Sequence, residues 1–334
     1  MGFFNKRDKE IRADFSKDLV GCFGKLPFQA EFIKLQWAVP EVQTLDRVMQ
    51  DSYAHINRRQ QETAKDQFQD MPLYYFCHYK NAILQPIAGV IMPSTDISGR
   101  QYPFVMTRVI NNPLICETPS ILPLLYKNYF WAASIFCQTM SELTSITELQ
   151  AKLKPLKPEQ DPADGVVFKT ILHQLGQTHL MAFWQGVVED YAGLTLPHFI
   201  QTIADGLDWA RERTRRSQAW VLAVPLPHPI EPTLTTTFWL QLIDALLPQT
   251  KVKLQCYWNL AQGAYRPTLF LFHEMPASTL LSYLIEPNQN SDSLFHVIDE
   301  AKKHPDIEVS TTALIDAVDE NLLQVLDRWS HTWM

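Results

Sequence analysis

The sequence predicts a mixed α/β fold, of the α+β kind, in two domains that are each a mainly antiparallel sheet flanked by helices. Three observations carry this expectation. Apolar runs of strand length follow one another across short polar connections, which is simplest for antiparallel neighbours. Stretches with apolar residues at helical spacing precede and follow those runs in both halves. A proline-containing segment poor in apolar residues separates the halves, and 334 residues exceed what one compact domain ordinarily holds.

Gly21-Cys-Phe-Gly-Lys-Leu-Pro27 is short and apolar, with Gly21, Gly24 and a closing proline, and reads as a strand entering a turn. Residues 40–68 form a polar body with Val42, Leu45, Val48, Met49, Tyr53 and Ile56 as an apolar stripe, a helix whose first turn suits Pro40. Strands are expected over 73–79, 82–92 and 104–110. Lys80-Asn81 lies in the first connection and Pro93-Ser-Thr-Asp-Ile-Ser-Gly-Arg100 forms the second. Residues 119–142 carry Leu124, Leu125, Tyr129, Ala132, Ala133, Phe136 and Met140 at helical spacing, so a long helix closes the first domain, residues 1–150. Over 152–164 three prolines forbid a helix, which makes 151–165 an extended linker. The second domain, 166–334, reads as helices at 166–188 and 196–216, a strand at 219–224, a helix at 235–247, strands at 252–258 and 268–273, and a helix at 277–285. Both halves run helix, strands, helix, an order that distant copies would share, although no sequence repeat accompanies it.

Composition narrows the functional classes. Hydrophobic residues at 46% against charged residues at 19% make a globular chain with a large core. Twenty-nine basic against 36 acidic residues give a net charge of -7, so no chain-wide positive field attracts a nucleic acid. Met1 to Phe4 lead into Lys6, Arg7, Asp8, Lys9 and Glu10 without the apolar core of a secretory signal. The apolar runs near Ile91 and Phe130 are too short for membrane insertion. Cys22, Cys77, Cys116, Cys137 and Cys256 are scattered, lack a CxxC pair and have apolar neighbours, as free thiols of a cytoplasmic protein do. His78 adjoins Cys77 but points to the other side of its strand, which disfavours a structural zinc.

The sequence contains no GxGxxG, GxxxxGK[ST], HExxH or GxSxG, and the expectation is a protein without catalytic residues, metal or cofactor. In the 93–100 connection Ser94, Asp96 and Ser98 can bond nearby amides, Gly99 can take a positive φ, and Arg100 can pair with Asp96, making a self-bracing turn. The functional alternative has Arg100 and the hydroxyls contacting a ligand or a partner. His173 and His179 are six apart and so face different sides of a helix, unlike a metal-binding pair. His273-Glu274 and Glu189-Asp190 lack a nucleophile nearby and read as solvated. Arg211, Arg213, Arg215 and Arg216 suit a helix C-terminus better than an acidic partner. Trp184, Trp209, Trp220, Trp239 and Trp258 read as packing residues.

Two segments carry a family resemblance. Gly24-Lys25-Leu26-Pro27 followed by Glu31-Phe32 resembles the opening signature of the TagF (ImpM) family, with Ala30-Glu31-Phe32 where that family has Gly-Asp-Phe. Gly89 to Pro103 resembles a second family segment through Pro93, Ser94, Asp96, Gly99, Arg100 and Pro103. These twelve residues are the candidates for a partner surface or for holding its shape. The resemblance implies an α/β N-terminal domain and a cytoplasmic, post-translational repressor of bacterial type VI secretion that binds the system's forkhead-associated scaffold protein. Two other functions compete. One is a phosphatase-like enzyme reversing threonine phosphorylation, since family members are sometimes fused to phosphatase domains; the other is a structural part of the secretion apparatus.

Overall fold

The computed structural model describes residues 18–59, 63–79, 85–112, 115, 118–156, 164–191, 193–247, 254–263, 265–287, 289, 291–303 and 319–332. Lys80-Asn81, Cys116, the first ten residues and 157–163 of the expected linker lie outside them. The chain runs β1 (Leu19–Gly24), β2 (Ile33–Leu35), α1 (Pro40–Arg59), α2 (Thr63–Asp70), β3 (Tyr74–Tyr79), β4 (Ile87–Met92) and β5 (Phe104–Val109). A helical stretch follows as α3 (Leu122–Leu125), α4 (Lys127–Gln138), α5 (Ile146–Leu153), α6 (Asp164–Gln177), α7 (Leu180–Asp190) and α8 (Leu196–Arg215). It closes with β6 (Trp220–Pro225), α9 (Pro232–Leu246), β7 (Leu254–Asn259), β8 (Thr268–His273), α10 (Leu280–Ile285), β9 (Leu294–His296), α11 (Val297–Lys303) and α12 (Leu322–Thr332).

The strands form one nine-stranded sheet in the order β2-β1-β5-β4-β3-β7-β8-β6-β9. Neighbours are antiparallel except the parallel pair β6 and β9. This corrects the expectation of a separate sheet for each half. The seam is β3 against β7, with Tyr74 opposite Asn259 and Tyr79 opposite Leu254. The physical reason lies in β3, which buries Tyr75 and Cys77 on one face and Tyr74 and Phe76 on the other. A strand apolar on both faces with an open edge leaves backbone N–H and C=O groups unpaired, and β7 pairs them.

Helices cover both faces. Val42, Leu45 and Met49 of α1, Phe68 of α2 and Leu280, Leu281 and Leu284 of α10 pack with Phe23, Phe76, Val105 and Phe270 on one side. Helices α3 to α9, α11 and α12 pack on the other, where Cys22, Cys77, Phe104 and Met106 point. Helix α9 is buried along almost its whole circumference, and its N-terminus is held by Glu231, whose carboxylate accepts from the Thr233 and Leu234 amides.

Several boundaries differ from those expected. The helix over 119–142 breaks at Tyr126, where φ is -102° and ψ is 18°. The helix over 166–188 breaks between Gln177 and Leu180. Part of the expected linker is helical, because α5 runs to Leu153 and a 3-10 turn continues to Leu156, its start fixed by the Ser145 hydroxyl accepting from the Glu148 amide. The registers bring Gly24, Met92, Phe104, Tyr74, Asn259, Thr268 and Pro225 to the same end of the sheet, and this rim carries the candidate site.

Candidate functional site

The two candidate segments meet on the rim. Gly24 has φ +126°, and a Cβ there would lie 2.2 Å from the Pro103 carbonyl oxygen, so only glycine lets β1 end against the start of β5. Lys25, next in the chain, is 4% exposed, and its ammonium bonds the Asp96 carboxylate and, at 3.3 Å, the Ala30 carbonyl. The Ser94 hydroxyl donates to the Lys25 carbonyl at 2.8 Å. Asp96 also accepts from Arg100 Nε at 2.7 Å and from the amides of Arg100 and Ser98 at 2.9 Å each. Gly99, at φ +77°, donates its amide to the Asp96 carbonyl at 2.9 Å, closing the turn. Arg100 Nη2 crosses to the Ala30 carbonyl at 2.7 Å, so the backbone oxygen at the position where the resemblance expects glycine helps hold the two segments together.

Burial raises the cost of charging Asp96, but the Lys25 ammonium, the Arg100 amide and guanidinium and the Ser98 amide outweigh it and hold the carboxyl well below the usual carboxylate range. Leu26, Ser94 and Pro103 are buried, Pro27 and Pro93 are half-buried, and Glu31, Phe32, Gly99 and Arg100 are exposed. The sequence foresaw the pairing of Asp96 with Arg100 but not that with Lys25, which lies 71 positions away and leaves no local signal.

A second network, missed by sequence reading, supports Phe32 from behind. Phe32 packs edge-on against Tyr102 at 4.9 Å, Tyr102 against Tyr53 at 5.4 Å, and Tyr53 against Phe68 at 5.3 Å. Asp46 of α1 accepts from Trp37 Nε1 at 2.8 Å and from the Tyr102 hydroxyl at 3.3 Å, and it pairs with Lys34 at 3.3 Å. What emerges at the surface is apolar: Phe32 is 46% exposed, with the Lys25 ammonium 4.5 Å from its ring centroid, and Ile97 is 67% exposed, its amide donating to the Gln29 carbonyl at 3.3 Å.

The remaining candidates fall elsewhere. At the opposite end of the sheet a buried ion pair joins Asp18 to Arg108 at 2.8 Å, with the Tyr126 hydroxyl donating to the same carboxylate at 3.0 Å. Burial pushes the Asp18 carboxyl up against the pull of Arg108, and the cluster reads as structural. The arginines of α8 are bonded locally: Arg211 to Asp208, Arg216 to Glu212 at 2.7 Å, and Arg213 Nε to the Ala219 carbonyl at 3.1 Å. His173 and His179 are exposed, and Glu189 is solvated as expected. His273 is not solvated as expected but 2% exposed, its ring 5.4 Å from that of Trp220, because β8 has helices on both faces. Trp220, Trp239 and Trp258 are core residues. Among the described residues no group of three or more His, Cys, Asp or Glu is placed to hold a metal ion, and no helix is long and apolar enough to cross a membrane.

A model of the TagF N-terminal domain, described as type VI secretion system-associated, matches residues 21–156, a stretch that contains both candidate segments. One solved structure similar to this chain is the crystal structure of PA0076 from Pseudomonas aeruginosa PAO1 at 2.05 Å resolution. It is 13% identical, the likeness covers 83% of this chain and 98% of that one, and the TM-score is 0.49. A search of curated proteins finds no match.

Proposed function

We propose that this chain, whose residues 21–156 match a model of the TagF N-terminal domain, is a cytoplasmic, post-translational repressor of type VI secretion that acts by binding the forkhead-associated scaffold protein of that system. The observation that carries the reading is the surface built by the two candidate segments. Lys25, Asp96 and Arg100 lock strand ends some seventy positions apart. The segments this lock joins carry the exposed Phe32 and Ile97, the first with the Lys25 ammonium over its ring, and the exposed Arg100. Exposed apolar side chains held on braced segments beside cationic ones have the composition of an interface anchor, since ordering cost is low and desolvation gain is high.

The test is secretion of the system's tube protein in cells lacking, and then overproducing, the protein. Loss should raise secretion and overproduction silence it. The surface variant Phe32→Ala with Ile97→Asp should fold normally, lose repression, and fail to co-purify with the scaffold protein. Secretion abolished by deletion would overturn the proposal in favour of a structural part of the apparatus.

A further inference from the structure

We propose that the outward face of α4 is the seat of the chain's own residues 1–17, which lay Ile11 and Phe15 across Trp131 and Ile135. This goes beyond the repressor reading and uses none of its residues. Trp131 is 68% and Ile135 39% exposed, one helical turn apart, on the side of α4 that turns away from the sheet, while Phe130, Ala133 and Cys137 fill the core beneath. An indole this bare holds a large apolar surface against water, and tryptophan is enriched where protein surfaces dock.

Position and reach select the occupant. Lys17 leads directly into Asp18, whose carboxylate accepts from the Tyr126 hydroxyl at 3.0 Å and from Arg108 Nε at 2.9 Å, so the segment leaves the fold beside the first turn of α4. Four extended residues span about 13 Å, enough to round a helix about 10–12 Å across. A tether this short sets an effective concentration of millimolar order, which a free partner would have to match in solution. A second copy has no such advantage, because two side chains fall far short of the roughly 800 Å² per partner that a stable interface buries.

The segment also complements the face. Phe4, Ile11 and Phe15 are spaced by seven and four, the period of one helical side, and the step from Ile11 to Phe15 equals that from Trp131 to Ile135. Departing from the N-terminal end of α4, the segment runs antiparallel to it, which pairs Phe15 with Trp131 and Ile11 with Ile135. The same direction brings Asp14 toward Lys127 and Lys6 and Arg7 toward Glu142, both of them exposed, so opposite charges meet at each end.

The experiment is hydroxyl-radical footprinting of the full chain, read by mass spectrometry as the oxidation rate of Trp131. In Ile11→Ser with Phe15→Ser that rate should rise several-fold over wild type, while Phe32 keeps its own rate. Reciprocally, Trp131→Ser with Ile135→Ser, both at exposed positions, should retain the wild-type Tm and speed tryptic cleavage after Lys9, Arg12 and Lys17 several-fold. Four results would each overturn the proposal: equal Trp131 oxidation in wild type and the Ile11 and Phe15 variant, a rise that Phe32 shares, protection that fades on dilution and so marks a second copy, or an unchanged rate of cleavage.

Discussion

Asp96 is buried and His78 half-buried, but their surroundings set opposite demands on protonation: partners keep the first charged and desolvation keeps the second neutral. Asp96 is kept charged by Lys25 and Arg100, so its folded pKa lies below the ordinary value of 3.8. Its contribution to stability is complete above that value and is lost as the pH falls below it. Asp96→Asn leaves the Lys25 ammonium buried without a counter-ion and should lower the denaturation midpoint at pH 7. The gap between wild type and variant should narrow as the pH falls below about 3.8, where the unfolded wild-type chain takes up a proton that the folded carboxylate still refuses. His78 is kept neutral: its Nε2 lies 2.5 Å from the Tyr257 hydroxyl, and burial lowers its pKa from 6.5 to about 3. Between those values the unfolded chain takes up the proton and the folded one does not. Each pH unit below 6.5 should therefore cost about 1.4 kcal/mol until the ring itself titrates. In His78→Gln, which retains an acceptor for Tyr257, denaturation midpoints measured from pH 6.5 to 4.5 should flatten. An unchanged slope would mean that the ring is hydrated and titrates normally.

The motif turn depends on two glycines for different reasons, and their substitutions should rank accordingly. Gly24→Ala meets the Pro103 carbonyl and a forbidden φ together, so it should destabilise by about 1–3 kcal/mol and loosen the turn that holds Phe32. Gly99→Ala has φ +77° but open space around it, and should cost only about 1 kcal/mol. Equal effects on chemical denaturation would mean that backbone conformation, not the approach to Pro103, decides both. Elements of this kind were legible in the sequence because their chemistry is local. Glycine before a turn, Asp96 bonding amides two and four residues on, and apolar runs at strand length all announce themselves within ten positions. The three-residue edge strands β2 and β9 did not, being too short to show a period. Neither did the Asp46 network, whose partners Trp37, Lys34 and Tyr102 come from three segments. The helix breaks at Tyr126 and before Leu180 were also hidden, because apolar spacing continues across them.

For the whole molecule, the decisive contact is the β3–β7 seam, which joins the two stretches that the sequence reading assigned to separate domains. The segment matching the TagF N-terminal domain, residues 21–156, supplies most of β1 and all of β2 to β5 and leaves β3 as an open edge, which the rest of the chain covers with β7. Three rings clamp that junction: Trp258 of β7 stacks on Tyr75 of β3 at 5.5 Å and meets Phe130 of α4 edge-on at 4.9 Å. Strand partners 179 positions apart, such as Cys77 and Cys256, leave no trace in local periodicity, so the halves looked separable. Their shared sheet makes them interdependent. Trp258→Ala should cost about 3–5 kcal/mol, because a fully buried indole leaves a cavity touching both halves. Expressed alone, residues 1–156 would expose the β7-facing edge of β3, along which alternate residues point N–H and C=O outward beside Tyr75 and Phe76, an edge that recruits other chains. That fragment should associate or precipitate, while the intact chain unfolds in one transition that moves as a whole in the Trp258 variant. A soluble, monomeric fragment that melts cooperatively, together with a two-step melt of the intact chain, would show instead that each half stands alone and that β3 and β7 merely touch.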